Sequence, residues 1–576
     1  MAESSRIKNR EIAGKLYEIA DLLEIKGSRF KPRAYRRAAQ HVMTLSEDIT
    51  AVLRRGELER IPGVGASIAS KIQEILETGT LGYLEELREE LPQGLRELVE
   101  IEGIGPKTAL KLHRELKISS VDELETVARQ RKLRDLAGFR GKTEENILRA
   151  IKTHRNAQKR FLLGSILPVA KEIEKKLKSL RSVTRVSLAG SIRRRKETIG
   201  DVDILATSTE PLKVMDFFTQ IPEVKSVLAK GRTKSTVVLT NNLQVDLRVV
   251  EEESYGSALQ YFTGSKEHNI RLRGLALQKN WKLNEYSLFD KKTNEKIAGE
   301  DEESIYKMLG LGYIAPELRE DRGEVEAALE GSLPHLIEYG DVKGDLHVHT
   351  IWSDGICSIR DMAKAARSFG YEYIGICDHS KTLKIAHGLA EEDIRKQVKE
   401  IERLNRSAQG FTILSGTEVN IDSDGRLDIK DVVLKDLDIV IASVHSGFRR
   451  SEKEMTERVL TAIHNDYVDV LGHPTGRIMN RRDPYQIDLP KVFEASSKLG
   501  VFMELNAFFN RLDLSDLDCS RARDYGTKLS IATDAHSEDH LRYMELGIAT
   551  ARRGWLERSD IVNTLDLKEL RRLLES

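Results

Sequence analysis

Residues 188–205 read LAGSIRRRKETIGDVDIL, and this stretch decides the fold of the region around it. It ends in a β-rich run in which Asp201 and Asp203 are two positions apart. Because side chains alternate across a strand, we expect both aspartates on one face, with Val202 and Ile204 in the core. Two carboxylates on one face repel each other unless a cation neutralises them, and Mg²⁺ prefers such ligands together with phosphate oxygens. An Asp-x-Asp pair alone is also common on surface strands, so the pair by itself leaves both interpretations open.

Two nearby features favour a nucleotide site over a plain surface strand. Gly190 stands eleven residues before Asp201 and is followed by Ser191. The later β-rich run QVDLRVV adds a third carboxylate, Asp246, which we expect to contact a second metal ion and to help deprotonate an attacking hydroxyl. The basic run 193–196 is a candidate for binding polyphosphate, although such a run is also typical of a solvated loop.

Beyond residue 340 the sequence changes to short apolar runs between helical stretches, for example YIGICD, IVIASVH and LSIATDAH. This rhythm predicts βα units and a parallel sheet or barrel. The segment DLHVHT at 345–350 puts His347 and His349 on one face of a strand, where they are ready to share a metal ion. Taken alone, the same pattern also fits two hydrogen-bonded strand histidines.

Strand ends converge on one face of a βα barrel, so ligands scattered along the sequence can form one site. The potential ligands near the ends of the runs are Asp354, His379, Glu418, His445, His473, Asp534 and His536. The other histidines of this region, which we expect at the surface, are His387, His464 and His540.

Two glycine turns lie between helical patterns near the amino terminus. The turns IPGVG at 61–65 and IEGIG at 101–105 share the form apolar-x-Gly-apolar-Gly. Glycines let the backbone approach an anion, and the N–H groups that start the next helix then meet a phosphate oxygen. We therefore expect phosphate contacts at Gly63, Gly65, Gly103 and Gly105. A third turn, LAGFRG at 136–141, lacks the second glycine and is expected to keep the shape without the phosphate contact.

The length and composition of the chain limit the classes of protein to which it can belong. The 576 residues, 40% of them hydrophobic, suffice for several domains. Lys and Arg (92) balance Asp and Glu (92), but residues 1–340 hold 58 basic and 52 acidic residues, whereas residues 341–576 hold 34 and 40. The stretch 101–200, with 25 basic against 11 acidic residues, is expected to attract polyanions. The sequence has no apolar run of the roughly 20 residues that a membrane span needs, and its three cysteines show no disulfide framework; we expect a cytoplasmic protein that does not enter the membrane.

The glycine turns resemble the helix-hairpin-helix motif of DNA repair proteins, which binds the DNA backbone without reading sequence. Together with RAYRRAA at 33–39, the first turn resembles the lyase domain of family X DNA polymerases. The resemblance implies that Lys71 attacks a deoxyribose aldehyde and that Lys31 and Tyr35 belong to the DNA-binding pocket. Such a lysine must be partly neutral, which requires desolvation or basic neighbours. Ser67 stands where a basic residue is expected, so a solvated helix lysine is an equal alternative.

The residues around Asp201 resemble the nucleotidyltransferase superfamily, and YFTGS at 261–265 narrows the resemblance to family X DNA polymerases. The resemblance implies that the catalytic carboxylates are Asp201, Asp203 and Asp246. It implies that the triphosphate is held by Gly190, Ser191 and Arg194, with Gly200 in the same motif. It further implies that Tyr261, Phe262 and Gly264 lie beside the sugar, Asn269 at the minor-groove edge of the base and Arg273 near the template, and that Lys230 and Arg232 contact DNA.

The histidine-rich motifs resemble the polymerase and histidinol phosphatase (PHP) domain, a metal phosphoesterase with a seven-stranded barrel. The resemblance implies up to three ions, Zn²⁺ or Mn²⁺ or both, that activate a hydroxide for attack on phosphorus. It assigns one ion to His347, His349, Glu418 and Asp534, a second to Glu418, His445 and His473, and a third to Asp354, His379 and His536.

These resemblances imply a bacterial or archaeal family X DNA polymerase fused to a PHP domain. It would add nucleotides to a primer 3′-hydroxyl in short gaps during base excision repair, using Mg²⁺ and dNTPs. It would also trim 3′ ends, and lyase activity is a separate expectation. We expect a monomer acting on gapped or primer-template DNA. The alternatives are a DNA-binding repair scaffold with degenerate centres, or a PHP domain that acts as a small-molecule phosphatase.

The expected architecture is multidomain, α+β and α/β. It comprises helical helix-hairpin-helix domains, a nucleotidyltransferase-type β-sheet palm, a small thumb-like domain and a distorted (β/α)7 barrel. The expected boundaries are 1–80 for the lyase-like domain, 81–155 for the second helical domain, 156–250 for the palm, 251–315 for the nucleotide- and template-contacting domain, 316–340 for a linker and 341–576 for the PHP domain.

Overall fold

The computed structural model describes part of the amino-terminal region and nearly all of the rest. The described residues are 2–26, 28, 31–43, 49–78, 81–89, 98, 101, 104, 106–136, 144, 147, 148, 150, 151 and 160–575. They divide into two compact units, Met1–Arg160 and Phe161–Ser576. Among these residues no helix is both long enough and apolar enough to cross a bilayer.

The described residues of the first unit form helices and connecting turns and contain no strand, as the sequence predicted. Its helices are α1 (Ala2–Ile25), α2 (Lys31–Met43), α3 (Ile49–Arg54), α4 (Ala66–Thr78), α5 (Gly82–Glu89), α6 (Pro106–Leu116) and α7 (Val121–Arg129). Helices α1 to α5 enclose one apolar cluster, which includes Leu16, Ala38, Ile49 and Ile72. A second cluster, which includes Ile104, Leu112 and Leu124, forms the core around α6 and α7.

The second unit begins with a sheet that we call the palm, residues 161–250. Its elements are β1 (Phe161–Leu162), α8 (Leu163–Lys178), β2 (Val183–Leu188), α9 (Gly190–Arg193), β3 (Thr198–Ile199), β4 (Asp201–Ser208), α10 (Pro211–Thr219), β5 (Val224–Lys230), β6 (Lys234–Leu239) and β7 (Gln244–Val250). The five long strands pair in the order β2-β4-β7-β6-β5, and only β4 and β7 run parallel. The strands β1 and β3 form a separate antiparallel pair.

The next segment, residues 255–330, is the thumb-like domain. It contains α11 (Tyr255–Thr263), α12 (Lys266–Gln278), β8 (Trp281–Leu283), β9 (Leu288–Asp290), β10 (Lys296–Ala298), α13 (Glu302–Leu309) and α14 (Glu324–Glu330), with the three strands antiparallel. The segment expected as a linker, 316–340, packs tightly at its start: Leu318 and Val325 join the apolar cluster of this domain. Arg319 is fully buried and pairs with Glu302 (2.5 Å).

The barrel comprises residues 344–575. Its strands are β11 (Gly344–Val348), β12 (Tyr373–Ile376), β13 (Thr412–Asn420), β14 (Ile439–Ser443), β15 (Val470–Leu471), β16 (Phe502–Asn506) and β17 (Leu529–Ala532). Its helices are α15 (Ile359–Ser368), α16 (Glu391–Asn405), α17 (Asp431–Leu434), α18 (Glu452–Ile463), α19 (Leu489–Leu499), α20 (Asp516–Asp524), α21 (Met544–Arg553) and α22 (Leu567–Leu574).

All seven strands of the barrel are parallel and pair in sequence order. A parallel bridge between Val348 and Ala535 joins the end of the first strand to the residues after the last one, so the sheet nearly closes. The expected (β/α)7 architecture is confirmed.

The palm and the barrel share one apolar core. Leu512 and Leu546 of the barrel belong to the same cluster as Leu163 and Ile166 of α8. Gly164 lies at the tightest point, because a Cβ atom there would come within 2.5 Å of the Cβ atom of Phe509 and within 2.8 Å of Leu546. The close approach of α8 to the barrel therefore requires a glycine.

We predict that Gly164→Ala lowers the free energy of unfolding by about 1–3 kcal/mol, because the added methyl group overpacks this contact. Gly14 in α1 is the matched control, since nothing lies within 4 Å of a Cβ atom there. Gly14→Ala should stabilise its helix by up to about 1 kcal/mol. Thermal unfolding of both variants checks the difference, and equal melting temperatures would contradict the shared core.

Candidate active sites

The palm brings its three aspartates together on two neighbouring strands. Strands β4 and β7 pair in parallel, so that Asp203 lies opposite Asp246 and Asp201 opposite Gln244. The Asp246 side chain is largely buried, whereas Asp201 is exposed. Asp201 and Asp203 stand two positions apart in β4, as the sequence predicted, and the register places the third acid, Asp246, on the neighbouring strand.

The site raises the affinity of Asp203 for protons. Burial first, and then the charges of Asp201 and Asp246, raise the pKa of Asp203 to about 7. Lys234 Nζ lies 2.7 Å from Asp246 Oδ2 and offsets part of the negative charge. A partly buried cluster of carboxylate oxygens of this kind is a donor set that fits Mg²⁺.

The Gly190 turn packs directly on the aspartates. Gly190 has a φ of +63°, and a Cβ atom there would stand 2.6 Å from Asp203 Oδ2. The backbone N–H of Ala189 donates to the carbonyl oxygen of Asp203 (2.8 Å), which joins the turn to β4. Only glycine fits this position, and Ser191 follows it at the start of the short helix α9.

The two arginines after this turn bind the thumb-like domain. Arg194 Nε donates to Glu320 (3.0 Å), and its terminal nitrogen donates to the carbonyl oxygen of Thr263. A Cβ atom on Gly264 would lie 3.1 Å from the Arg194 guanidinium. Arg193 donates to Glu302 through both terminal nitrogens (2.9 and 2.6 Å). The arginines expected near a polyphosphate are thus fixed side chains between two domains, and not a solvated loop.

The Tyr261-Phe262 segment is held by Asn269. The Asn269 amide donates to the carbonyl oxygen of Tyr261 (2.7 Å), and its side-chain oxygen accepts from Gln260 (2.7 Å). The side chain of Asn269 is buried. Its hydrogen bonds therefore support the segment, and contact with a base remains a prediction.

The other predicted nucleotide and DNA contacts of the palm and thumb-like domain lie on the outside. Arg273 is exposed and its Nε donates to the carbonyl oxygen of Asn269 (3.2 Å). Lys230 pairs with Asp216 (2.5 Å) on the surface, and Arg232 is exposed. Gly200 immediately precedes β4 and is half-buried.

In the barrel, the nine predicted ligands converge at one end. Three groups of ligand atoms lie within 4.8 Å of one another, close enough for each group to hold one metal ion. The first is His349, Asp354, His379 and His536, the second His347, His349 and Asp534, and the third His379, Glu418 and His445. His473 reaches the third group through Glu418, with 3.0 Å between His473 Nε2 and Glu418 Oε1.

Glu418 is the centre of this arrangement. Its Oε1 lies 3.3 Å from His445 Nε2, and its Oε2 lies 2.6 Å from His379 Nδ1 and 3.6 Å from His347 Nε2. Glu418 is fully buried. Burial alone would raise its pKa, but the imidazoles of His379, His445 and His347 hold the pKa well below its ordinary value. One buried carboxylate therefore serves several imidazoles.

The histidines differ in charge. Burial and then His536 and His379 lower the pKa of His349 to about 3, so its imidazole is neutral. For His536, the carboxylates of Asp354 and Asp534 outweigh burial and raise the pKa to about 9. Nδ1 of His349 and of His473 is buried and accepts or donates no hydrogen bond among the described residues. Neutral imidazole nitrogens beside carboxylates fit divalent cations such as Zn²⁺ or Mn²⁺.

Three residues that sequence reasoning missed support these ligands. Glu504 is fully buried; its Oε1 lies 2.6 Å from His347 Nδ1, and its Oε2 accepts from the His473 backbone N–H (2.5 Å). Asp345 accepts from the backbone and side chain of Thr533. His540, expected at the surface, is half-buried: its Nδ1 accepts from the His536 backbone N–H (3.2 Å). The signal for Glu504 was an acid inside the apolar run VFMELN.

In the first unit, Lys71 lies in α4 and is half-buried. Its Nζ donates to the hydroxyl of Ser67 (3.2 Å) and stands 4.7 Å from the centre of the Tyr83 ring. Tyr35 is buried, and burial and then Tyr83 raise its pKa to about 12. Lys31 is exposed at the start of α2.

Each of the two glycine turns of the first unit contains the same kind of backbone hydrogen bond. The Val64 N–H donates to the Ile61 carbonyl oxygen (2.9 Å), and the Ile104 N–H donates to that of Ile101 (2.9 Å). Gly63 has a φ of +87° and packs on α2, whereas nothing lies within 4 Å of a Cβ atom on Gly65. The first turn is thus open at Gly65. Gly103, Gly105 and most of the third turn lie outside the described residues.

Four families match successive parts of the chain. A helix-hairpin-helix domain matches residues 7–81, and a SAM-like helix-hairpin-helix tandem matches residues 95–153. The DNA polymerase beta thumb matches residues 258–320, and the PHP domain matches residues 345–507.

One relative is similar over the whole chain. The DNA polymerase/3′-5′ exonuclease PolX of Bacillus subtilis is 39% identical over 569 residues, which cover 98% of this chain and 99% of that protein. Probable phosphatases match a smaller part. The one from Thermoanaerobacter sp. is 32% identical and covers 38% of this chain and 89% of its own length. The one from Acetivibrio thermocellus is 32% identical and covers 33% and 78%.

The raised pKa of Asp203 predicts a pH-dependent palm site. A proton on Asp203 competes with Mg²⁺, so we expect the Mg²⁺ affinity to fall about tenfold per pH unit below about pH 7 and to level off above it. Calorimetry measures Mg²⁺ binding to wild type and to Asp203→Asn, and the difference between the two titrations isolates the palm site from the barrel. The same affinity difference at about pH 6 and about pH 8 would contradict the assignment.

Proposed function

This chain belongs to the family X DNA polymerases that carry a carboxy-terminal PHP domain, and on that premise we propose that it has two activities. The palm adds dNMP to a primer 3′-hydroxyl in short DNA gaps during base excision repair. The barrel removes nucleotides from 3′ ends or cleans blocked ends. The observation that carries this proposal is the presence, in one chain, of the Asp201, Asp203 and Asp246 set and of the nine barrel ligands.

At the palm, the proposed reaction is in-line attack of the primer hydroxyl on the α-phosphate of the dNTP. Mg²⁺ ions, when bound to Asp201, Asp203 and Asp246, supply charge stabilisation to the attacking and leaving oxygens. Asp246 accepts the proton of the primer hydroxyl, and its ion pair with Lys234 fixes the direction of its carboxylate. The register of Asp203 opposite Asp246 supports these roles.

The nucleotide is held between the Gly190 turn and the segment 261–264. Gly190 and Ser191 bind the triphosphate, and Arg194 adds positive charge beside it. Tyr261, Phe262 and Gly264 lie against the sugar. The support for this assignment is the hydrogen bond from the Arg194 guanidinium to the Thr263 carbonyl oxygen, which joins the two halves of the subsite.

At the barrel, the proposed reaction is hydrolysis of a phosphodiester bond. Zn²⁺ or Mn²⁺ ions, up to three, supply the acidified water when bound by the nine ligands. His347 is oriented by Glu504, which also binds the His473 backbone. This carboxylate behind an imidazole is the usual means by which proteins fix a metal-binding histidine.

A second candidate for the barrel is a small-molecule phosphatase. The similarity to two probable phosphatases, which extends over about a third of the chain, favours it. Faster turnover of a phosphate monoester than of a DNA 3′ end would support this candidate. The complete sets of three palm aspartates and nine barrel ligands argue against the alternative of a DNA-binding scaffold with degenerate centres. The absence of both activities from the pure protein would favour that alternative.

The remaining proposals concern the surroundings of the two sites. The three cysteines are free, and Cys377 and Cys519 are buried, which fits a reducing cytoplasm. We propose a monomer that binds gapped or primer-template DNA, with phosphate contacts at the glycine turns of the first unit.

We predict that Asp246→Ala lowers primer extension on gapped DNA by roughly 10³-fold or more and leaves removal of 3′ nucleotides within about twofold, and that His347→Ala does the reverse. The physical reason is that each substitution removes a ligand from one site alone. Extension with Mg²⁺ and degradation of a 3′-labelled strand with Mn²⁺ measure the two rates. Full extension by Asp246→Ala, or normal degradation by His347→Ala, would move the corresponding site elsewhere.

We also predict that Lys71→Ala abolishes borohydride trapping of the protein on incised abasic DNA, because only an amine forms the reducible adduct. Lys31→Ala is the control, since this exposed lysine of the same unit should weaken DNA binding without removing the nucleophile. Unchanged trapping by Lys71→Ala would assign the nucleophile to another residue.

A further inference from the structure

The barrel reaches into the nucleotide subsite of the palm through one buried side chain. Arg553, the last residue of α21, is 2% exposed. One terminal nitrogen donates to the carbonyl oxygen of Arg194 (2.7 Å) and to Glu320 (3.1 Å), and the other donates to Asp516 (2.8 Å). Arg553 thus binds three acceptors from three parts of the chain.

Glu320 joins Arg553 to the guanidinium of Arg194. The same oxygen, Oε1, accepts from Arg553 and from Arg194 Nε (3.0 Å). Burial alone would raise the pKa of Glu320, but Arg194, Arg553 and Lys196 lower it, so the carboxylate stays ionised. Both the backbone and the side chain of Arg194 are therefore oriented by the barrel.

The rest of the loop is held in the same way. Arg195 pairs with Glu545 of α21 (3.2 Å), and Lys171 of α8 pairs with the same carboxylate (2.7 Å). Glu197 pairs with Arg477 (2.5 Å), which extends from the barrel. Because α8 and the barrel also share an apolar core, the loop 193–197 cannot move without the barrel.

We propose that Arg553 is a positioning residue for dNTP binding, so that the barrel is a structural part of the polymerase nucleotide subsite. The proposal rests on the proposed function, in which Arg194 binds the triphosphate. Arg553 does not touch the nucleotide; it fixes the backbone of Arg194 directly and its guanidinium through Glu320.

Arginine is required at this position by geometry. A planar guanidinium presents five N–H donors in a fixed fork, whereas an ammonium group is a point charge with three donors on a flexible stem. Lysine at 553 keeps the positive charge near Glu320 and Asp516 but loses the simultaneous contact to the Arg194 carbonyl. Arg553→Lys therefore tests the hydrogen bond to the Arg194 carbonyl oxygen while the positive charge at position 553 is kept.

We expect Arg553→Lys to raise the KM for dNTP about tenfold while kcat for primer extension changes by no more than about twofold, because a misplaced Arg194 weakens binding of the triphosphate. The rate of 3′-nucleotide removal, measured on the same protein, should stay within about twofold of wild type and reports that the barrel is folded.

Arg552→Lys is the matched control. Arg552 is the preceding residue of α21 and is also buried, but it pairs with Glu317 (2.9 Å) and donates to the Ile337 carbonyl oxygen (2.7 Å) instead of to Arg194 and Glu320. Its variant should leave the KM for dNTP unchanged. An equal rise in both variants would mean a general loss of packing and would overturn the proposal.

Glu320→Gln tests the route from Arg553 to Arg194. This near-isosteric change keeps a hydrogen-bond acceptor and removes the charge, so it should also raise the KM for dNTP, and it serves if Arg553→Lys fails to fold. In the double variant the two effects should be less than additive, because both act through Arg194. Full additivity, or an unchanged KM in Glu320→Gln, would refute the route.

The outcomes separate this inference from the proposed function. If wild-type protein fails to extend a primer, or if Arg194→Ala leaves the KM for dNTP unchanged, the proposed nucleotide site is wrong. If wild type extends and Arg194→Ala raises the KM while Arg553→Lys does not, the nucleotide site stands and only the role of the barrel is wrong.

Discussion

In a parallel sheet, side chains from neighbouring strands meet at the same end, and both sites of this protein are built on that constraint. Parallel pairing of β4 with β7 sets Asp203 opposite Asp246, although Asp246 lies 43 positions further along the sequence. The seven parallel strands of the barrel gather imidazoles around Glu418. In the palm, Lys234 offsets part of the negative charge of the aspartates. In the barrel, carboxylates lie beside imidazoles, and Asp354 and Asp534 raise the pKa of His536.

The residues that the structure brings together at the two sites could be predicted from the sequence because most of them lie in short motifs within or just after apolar runs. The rhythm of apolar runs predicted βα units and a parallel sheet or barrel, and the resemblance to the PHP domain implied the seven strands. Glu504 could not be predicted as easily, since an acid inside a strand gives no sign of its partners, and its contacts to His347 and His473 come from other strands. Asn269 shows a similar limit, because its motif does not reveal that its amide is bound within the protein.

The basic run 193–196 shows why local charge is an incomplete guide. The sequence predicts that the excess of Lys and Arg in 101–200 attracts polyanions. In the folded chain all four residues of the run have carboxylate partners: Glu302 for Arg193, Glu320 for Arg194 and Lys196, and Glu545 for Arg195. These partners lie between 109 and 350 positions away, beyond the reach of any window on the sequence. The positive charge of this run is therefore paired within the protein.

The packing of Gly164 against Phe509 and Leu546 fixes the palm and the barrel as one body, and this constrains how a single DNA end reaches both sites. On the proposed function, a 3′ terminus would have to leave the palm and separate from its template to reach the barrel, because the two domains lie in one compact unit and share an apolar core. An end whose last base pair frays readily would then reach the barrel more often than a well-paired end.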